Sequence, residues 1–307
     1  MLSTGNINNA VNREEMKRTT TDKLISLANS IRYAVTEPIL LKIARLRFEH
    51  LHSDDGDNPL VTIYTPTFNR GKLLIERAVS SVLSQTYKNF EYVIVGDSCT
   101  DDTGELIRQV NDPRIRFHNI PKREPRYPDN VELHWLAGPV VPANQALTMV
   151  RGKWIARLDD DDIFTPDHIE SLLFFARQEN YEFVSAQYIE ERFGVRKIID
   201  GVSATSSYYN KRSPDPNDDS PKIGGTSTWL YRSYLRFFKY NINSWRKAWN
   251  RVNDIDLSLR FFRAGVRMGF LEKVLSYVIP RPGEVTIGME AYRIAEVEKR
   301  DFYRFKD

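Results

Sequence analysis

The chain has 307 residues, and its 44 Lys and Arg residues nearly balance its 41 Asp and Glu residues, leaving a net charge of +3. So small an excess excludes a generic nucleic-acid-binding protein, which carries a clear surplus of basic residues. The single cysteine, Cys99, excludes an internal disulfide and a zinc site built from several cysteines. No apolar run approaches the ~20 residues of a membrane-spanning helix, and the polar N-terminus lacks the apolar core of a signal peptide. We therefore expect a cytoplasmic protein.

The N-terminal extension, residues 1–58, is expected to begin as a loose polar segment and to continue as helix. Residues 1–21 show little apolar periodicity, whereas apolar residues recur every three or four positions over residues 22–52. We expect Pro38 to divide this stretch into two helices. Residues 52–59, HSDDGDNP, are typical of a turn-rich linker.

The apolar stripe of residues 22–52 must be buried somewhere, because an isolated helix of this length is marginally stable in water. Three partners are open: the rest of the chain, a second subunit in a homodimer, or a membrane surface. A basic face fits an anionic bilayer, although Glu37 and Glu49 dilute it. The cations of that face are Lys23, Arg32, Lys42, Arg45 and Arg47.

From Leu60 onward, short apolar segments alternate with helical patterns, and this alternation predicts a parallel α/β sheet. The strands are expected at 60–65, 90–95, 114–120, 153–158, 182–190, 195–199, 226–232 and 273–279. The helices are expected at 72–85, 100–110, 144–150, 166–178, 254–265 and 289–303. Residues 203–224, rich in Ser, Pro and Asp, are typical of a loop.

Four adjacent aspartates, Asp159 to Asp162, directly follow the predicted strand 153–158. Crowded carboxylates repel one another, so the cluster costs stability unless something neutralises it. The C-terminal end of a parallel strand is where α/β proteins bind ligands, and carboxylate oxygens suit a hard divalent cation that is also held by substrate phosphates and water. The alternative is a solvated acidic turn that caps the next helix.

Two other predicted strands also end in polar motifs. After the first, TPTFNR places Phe68 where it could stack on a nucleobase and Arg70 where it could contact a phosphate. After the second, Asp97 could accept the imide N–H of a uracil ring. The alternatives are an ordinary loop with Phe68 in the core and a carboxylate that caps the following helix. Because the C-terminal ends of parallel strands meet at one edge of a sheet, the three motifs can converge on a single crevice.

Together these motifs resemble glycosyltransferase family 2, the inverting enzymes with the GT-A fold. The resemblance runs from about Leu60 to Gly269, through PTFNRGKLLIERAVSSVLSQTYKNFEYVIVGD, NQALTMVRGKWIARLDDDDIFTPDHIESL and NDIDLSLRFFRAG. It implies an α/β fold in which a Rossmann-like nucleotide-binding sheet adjoins an acceptor-binding region. We therefore expect a GT-A domain at 59–307, with the nucleotide sugar bound by 59–162 and the acceptor by 163–307.

The resemblance implies roles for residues on the nucleotide side. Pro66, Phe68 and Arg70 match the first nucleotide-binding loop of the family, and Asp97 matches the carboxylate that contacts the base. The family commonly has a second acidic residue where this chain has Gly96.

The resemblance also implies a metal site and a base. Asp159 and Asp161 match the aspartates of the DxD motif, which hold the ribose, the diphosphate and a divalent cation, usually Mn²⁺ or Mg²⁺. Asp254 matches the catalytic base, although the preceding acidic residue of that motif is Asn253 here. Arg281 stands where some relatives place a histidine ligand, and it could contact the diphosphate.

The acceptor side is expected around the GGTSTW segment, where Gly225, Thr226 and Trp229 are the candidates to line a sugar pocket. Core packing is an equally good explanation of Trp229. The basic loop 122–128 could face the diphosphate or simply be solvated, and the scattered histidines, His134 among them, are interpreted as structural or surface residues.

The resemblance implies a hexosyltransferase-like enzyme that moves a sugar from a UDP- or GDP-linked donor to a carbohydrate or glycolipid acceptor in surface polysaccharide or glycoconjugate biosynthesis. The expected location is the cytoplasm or the periphery of the inner membrane face. One alternative is a sugar-1-phosphate nucleotidyltransferase, which would need a glycine-rich pyrophosphate loop that PTFNRGK lacks. The other is a catalytically inactive nucleotide-sugar-binding domain.

Overall fold

The computed structural model describes residues 18–53, 56–128, 130–206 and 220–294. The strands are β1 (Val61–Thr67), β2 (Phe90–Gly96), β3 (Ile115–Asn119), β4 (Trp154–Arg157), β5 (Ile163–Phe164), β6 (Phe183–Arg192), β7 (Val195–Ile199), β8 (Val202–Ser203), β9 (Lys222–Ile223), β10 (Leu230–Arg232) and β11 (Met268–Val278). The helices are α1 (Thr20–Ala44), α2 (Gly71–Leu74, continued by a π-helical turn at Ile75–Val79 and by Ser80–Leu83), α3 (Thr103–Val110), α4 (Val131–Ala137), α5 (Val140–Met149), α6 (His168–Gln178), α7 (Asn253–Ala264) and α8 (Gly288–Ile294).

Within the described residues, one sheet has the strand order β3-β2-β1-β4-β10-β6-β11-β5, with β7 paired to β6. Strands β1, β2, β3 and β4 are mutually parallel, which confirms the predicted α/β class. The chain moves from β1 outward to β3 and then returns to place β4 on the other side of β1. This reversal makes a crevice outside the carboxyl ends of β1 and β4, the usual ligand position in an open α/β sheet.

The second half of the sheet is mixed, because β10 runs antiparallel to both β4 and β6. Alternate residues of the central strands face two separate cores. Tyr64 and Ile155 pack on one side of the sheet, whereas Ile63 and Trp154 pack on the other. Burial on both faces explains why these strands are nearly continuous apolar runs in the sequence.

Several element boundaries differ from the prediction. Strand β1 continues through Pro66, which pairs with Val95 of β2 in parallel register. Helix α5 begins at Val140, four residues before the expected start, and Pro142 lies in its first turn, where a missing N–H costs nothing. Residues 226–228 form a 3₁₀ turn rather than a strand. The loop at 203–224 and the closing helix at 289–303 fall partly outside the described residues.

Helix α1 runs unbroken through Pro38, so the predicted division into two helices is wrong. Thr19 and Asp22 form a capping box at its start. An interior proline costs roughly 3 kcal/mol, and packing on both sides of it offsets that cost. On the N-terminal side of Pro38, Asp22 pairs with Arg246. On its C-terminal side, Leu41 is buried.

The orientation of α1 differs from the expectation based on its apolar stripe. The buried positions of the helix include Asp22, Glu37 and Leu41, whereas Leu24 and Ile31 are each more than half exposed. The stripe is therefore not buried against the described part of its own chain. No helix of the described residues is long and apolar enough to cross a membrane.

Candidate active site

A cavity of about 460 Å³ opens at the carboxyl ends of β1, β2 and β4. It brings together residues from widely separated parts of the sequence, including the strand ends, the 3₁₀ turn after β9 and the start of α7. The sequence-predicted site residues that line it are Pro66, Phe68, Arg70, Asp97, Asp159, Asp161, Gly225, Thr226 and Asp254. Trp229 is the predicted residue that does not line it.

The four aspartates after β4 divide into two pairs by exposure. The side chains of Asp159 and Asp161 are 33% and 28% exposed, so both face the cavity. Asp160 is buried and accepts hydrogen bonds from Thr67 Oγ1 at 2.8 Å and Arg70 Nη1 at 2.9 Å. Asp162 is buried too, and burial and the neighbouring carboxylates raise its pKa well above the ordinary value. The cluster therefore offers two carboxylates to a ligand and keeps two for structure.

The buried Arg157 offsets part of the negative charge of the aspartate cluster. Its Nε and Nη2 donate to Oδ1 of Asp159 at 3.1 and 3.0 Å, and its guanidinium lies 4.9 Å from the ring centroid of Tyr240. Although burial opposes the charge, the neighbouring Asp159 keeps the pKa of Arg157 well above its usual value. Arg157 therefore stays charged and fixes the orientation of the Asp159 carboxylate.

Two further arginines approach Asp161 from the cavity wall. Nη1 of Arg70 lies 3.6 Å from Oδ2 of Asp161, and Nε of Arg281 lies 4.0 Å from the same oxygen. The ion pair between Arg70 and Asp160 places this guanidinium beside the acidic cluster. A diphosphate bound here would meet both cations.

Arg77 of α2 ties the aspartate loop to the segment after β11. Its Nη1 donates to the carbonyls of Asp161 at 2.8 Å and Ile279 at 2.9 Å, and its Nη2 donates to the carbonyl of Pro280 at 2.6 Å. Arg77 therefore fixes the position of Asp161 relative to the far wall of the cavity.

Asp97 lies at the bottom of a small polar and aromatic pocket. Its Oδ2 is 3.6 Å from Nη2 of Arg123, while its Oδ1 is buried and accepts no hydrogen bond from the described residues. Burial raises the pKa of Asp97 to about 6, and Arg123 opposes that rise. A buried acceptor without a donor is costly, so this oxygen is suited to a ligand N–H.

Arg123 forms the side of this pocket. Its guanidinium lies 4.3 Å from the ring centroid of Phe68, and its Nη2 donates to Nε2 of His134 at 3.2 Å. Nε2 of His134 therefore carries no proton. Burial together with the Arg123 charge lowers the pKa of His134 to about 3. Phe68, Asp97 and Arg123 therefore offer an aromatic ring, a carboxylate and a guanidinium to the same cavity.

The start of α7 and the 3₁₀ turn at residues 226–228 form another part of the cavity lining. Thr226 Oγ1 donates to Oδ2 of Asp254 at 2.5 Å, and the backbone N–H of Ile255 donates to Oδ1 at 2.7 Å. Asn253 donates its amide to the carbonyls of Leu136 and Gly138. A carboxylate at position 253 has no N–H for these carbonyls, which explains the asparagine there.

The acceptor prediction needs one correction. Trp229 is only 2% exposed, donates its indole N–H to the carbonyl of Gly224 at 3.0 Å and packs edge-on against Phe183. It is a core residue, and its ring is not available to a sugar. Gly225 lies against the ring of Tyr188, which a Cβ at 225 would approach within 2.9 Å. The glycine therefore admits Tyr188 to the cavity wall.

The donor set fits a hard divalent cation. Within the described residues, no group of three or more His, Cys, Asp or Glu side chains is arranged to hold a metal alone. Asp159 and Asp161 nevertheless present carboxylate oxygens to the same cavity. Mg²⁺ and similar ions are often held by one or two carboxylates together with substrate phosphates and water, so two aspartates are sufficient for such a site.

The sequence patterns do not assign some of these residues to the site. Arg123 belongs to the basic loop 122–128, whose solvated alternative is wrong for this side chain. His134 was interpreted as structural or surface, yet it lines the cavity. Arg157 carried a usable signal, because a charge inside the apolar strand KWIARL has to find a buried partner. Arg77 carried none, since its partners are backbone carbonyls about 84 and 202 residues away.

A carboxylate-rich crevice beside the reversal of strand order is typical of nucleotide-binding α/β proteins. Residues 62–235 match the family described as Glycosyl transferase family 2. The chain therefore belongs to glycosyltransferase family 2.

One curated relative is the UDP-Glc:alpha-D-GlcNAc-diphosphoundecaprenol beta-1,3-glucosyltransferase WfaP of Escherichia coli. It is 34% identical over 152 residues, which cover 49% of this chain and 53% of WfaP. The chain thus spans about half of WfaP, and in three other curated relatives the match covers 39% or less of their length.

Two solved structures share the fold. TarS of S. aureus, residues 1–349 with UDP-GlcNAc, gives a TM-score of 0.54 at 18% identity and covers 79% of this chain and 63% of that one. The mannosyltransferase PcManGT of Pyrobaculum calidifontis, with GDP-Man and Mn²⁺, gives 0.52 at 16% identity and covers 85% and 70%. The fold is accordingly of the GT-A type, as expected.

Proposed function

We propose that this protein is an inverting, metal-dependent glycosyltransferase that moves a hexose from a nucleoside diphosphate sugar to an acceptor hydroxyl. The observation that carries the proposal is the convergence of Asp97, Asp159, Asp161 and Asp254 on one cavity. We assign Asp97 to the base, Asp159 and Asp161 to the cation beside the diphosphate, and Asp254 to the acceptor hydroxyl. Membership of the family makes the nucleotidyltransferase alternative the weaker one.

The chemistry follows from the groups present. An acceptor hydroxyl is a weak nucleophile, and Asp254 takes its proton as the new bond to C1 of the sugar forms. Thr226 holds the Asp254 carboxylate in place. Attack from the face opposite the leaving nucleoside diphosphate inverts the anomeric configuration. Arg70 and Arg281 face the leaving group and stabilise its developing charge.

Asp159 and Asp161 would hold the divalent cation, Mn²⁺ or Mg²⁺. When bound, such an ion neutralises charge on the diphosphate as it departs. The mannosyltransferase PcManGT, which has the same fold and whose structure contains GDP-Man and Mn²⁺, supports this choice. Arg157 orients Asp159 for the ion through two hydrogen bonds to its Oδ1.

The donor is UDP- or GDP-linked, as in the two structural neighbours with UDP-GlcNAc and GDP-Man. Residues 59–162 form the donor-binding part and 163–307 the acceptor-binding part of the catalytic domain. The acceptor is a carbohydrate or glycolipid of a surface polysaccharide or glycoconjugate, in keeping with the lipid-linked sugar in the name of WfaP. Such an acceptor places the enzyme in the cytoplasm or at the inner face of the membrane.

The test is a calorimetric titration of the full-length protein with UDP and with GDP, each with and without Mn²⁺. We expect one nucleotide to bind and its affinity to depend on the metal. Asp161→Asn should remove the metal dependence without lowering the melting temperature, because it removes one carboxylate of a repelling cluster.

Asp102→Asn is the matched control. Asp102 is exposed, makes no side-chain capping bond at the start of α3 and lies outside the cavity. The control should bind like the unmodified protein. Metal-dependent affinity that survives in Asp161→Asn would contradict the metal site.

A further inference from the structure

The inner face of α1 is attached to the catalytic domain by ion pairs. Asp22 pairs with Arg246, and Glu37 pairs with Arg260. In the π-helical turn that follows α1 (Arg45–Glu49), the Arg45 guanidinium donates to both oxygens of the buried Glu182, at 2.8 and 2.6 Å. These contacts lie on one side of the helix and hold its axis along the domain surface.

The outer face of α1 and of the π-helical turn that follows it carries an apolar stripe. Its members recur every three or four residues, and each exposes between 40% and 81% of its surface. We name this set the outer stripe; its residues are Leu24, Leu27, Ile31, Val35, Ile39, Ile43 and Leu46. It spans 22 residue steps, or about 33 Å of helix. Apolar surface of this length is expensive in water, so it marks an interaction site.

Charge is partitioned between the two faces. The acidic residues of the described segment 18–53 are Asp22, Glu37 and Glu49, and each is paired with an arginine of the domain. The cations on the exposed side are Lys23, Arg32, Lys42 and Arg47. Asp22 and Glu37 are therefore turned inward, and the partly exposed Glu49 is held by Arg267, so every acid of the described segment is already paired with a cation of the domain.

We propose that the outer stripe of α1 binds the surface of an anionic lipid bilayer. An interfacial helix needs an apolar face that enters the headgroup region to a depth of about 5–10 Å and a basic border that attracts anionic lipid. The outer stripe supplies the first, and the four exposed cations supply the second. Because the inner face is fixed to the domain, α1 would lie in the plane of the membrane with the catalytic domain above it.

A second copy of the chain fits this surface less well. Pairing two outer stripes would bring Lys23, Arg32, Lys42 and Arg47 of both helices together. No exposed carboxylate of the described helix is present to neutralise them, and like charges opposed at an interface weaken association. An anionic lipid surface satisfies the same cations.

The experiment is sedimentation of the full-length protein with vesicles, which requires no enzymatic activity and so stands apart from the proposed reaction. Vesicles of phosphatidylcholine alone are compared with vesicles that contain one quarter phosphatidylglycerol, at low and at high salt. We expect binding to the anionic vesicles that weakens with salt. Lys42→Gln should lower the affinity about fivefold, the usual effect of one cation at such a surface.

The double variant Ile31→Asp/Val35→Asp tests the stripe itself. Both side chains are 57% exposed, so the fold should tolerate the change, and vesicle binding should be lost. Phe174→Asp is the matched control, because Phe174 is a 68% exposed apolar residue of helix α6, outside the outer stripe. The control should sediment like the unmodified protein.

Three results would overturn the proposal. One is that the unmodified protein fails to bind anionic vesicles at low salt. Another is that it forms a dimer by light scattering that Ile31→Asp/Val35→Asp converts to monomer without any vesicle binding, which would assign the stripe to a second copy. The third is a monomer that binds no vesicles and whose melting temperature falls in the double variant, which would assign the stripe to another segment of the same chain.

Discussion

Arg157 and Asp159 form a charge pair in which two guanidinium nitrogens share one carboxylate oxygen, at 3.1 and 3.0 Å. The arginine is 3% exposed and the aspartate faces the cavity. Arg157→Met should lower the free energy of unfolding by about 2 kcal/mol, because it removes two charge-assisted hydrogen bonds from a carboxylate that solvent partly reaches. Urea denaturation measures this loss.

A second variant separates the pair from the packing. Arg157→Met/Asp159→Asn has no unpaired charge at the site, so it should be more stable than Arg157→Met alone. If the double variant is no more stable than the single one, the loss comes from packing around Tyr240 and the charge pair contributes little.

Asp254→Asn should lower turnover by about 10²–10⁴, the usual contribution of a general base, while donor affinity stays near normal. The reason is that the Asp254 carboxylate contacts Thr226, a residue of the predicted acceptor side. Steady-state kinetics and nucleotide titration are both required. A variant that loses nucleotide affinity and keeps its turnover at saturation would place Asp254 in the nucleotide site instead.

Binding of the base should depend on pH through Asp97. Burial raises its pKa to about 6, so at pH 7 the carboxylate is mostly ionised and accepts an N–H from the base. Below pH 6 it becomes protonated, and affinity should fall by up to about tenfold per pH unit. Ligand-observed NMR with uridine and guanosine measures this without a diphosphate or a metal, so the other aspartates do not contribute.

Asp97→Asn is the control for that titration. An amide does not titrate, so the affinity of the variant should be lower at pH 7 and independent of pH. A pH dependence that persists unchanged in Asp97→Asn would assign the titration to another group.

Acid should destabilise the protein through His168, which is fully buried and stacked on Phe164 at 3.5 Å. Burial lowers its pKa to about 3, below the ~6.5 of an unfolded chain. Its contribution to stability is therefore complete above pH 6.5 and is lost as pH falls toward 3, by about 1.4 kcal/mol per pH unit. Urea denaturation at several pH values between 6 and 4 gives the free energy of unfolding at each pH. This free energy should fall less steeply with decreasing pH in His168→Gln than in the unmodified protein. An equal slope in both proteins would show that His168 does not drive the acid response.

The sheet was predictable because its strands carry their own signal. Residues such as Ile63 and Trp154 sit in runs that are buried on both faces, and the polar motifs after them mark where the strands end. The positions of Asp97, Asp159 and Asp161 on one cavity follow from those strand ends and from parallel pairing alone.

Helix α1 was predictable as a helix but not in its orientation. Apolar periodicity indicates which residues share a face, and the usual assumption places that face inward. Here the polar face is inward, because Glu37 and Arg45 meet Arg260 and Glu182, partners 223 and 137 residues away. No sequence pattern within the helix indicates such distant partners.

The three hydrogen bonds of Arg77 have a consequence for how the family can diversify. They reach main-chain carbonyls at 161, 279 and 280, which every amino acid possesses. The side chains of the segment after β11 can therefore be exchanged for those of a relative. The hydrogen bonds through which Arg77 connects this segment to the aspartate loop would stay intact. A graft of that segment should keep its geometry as long as position 77 remains an arginine.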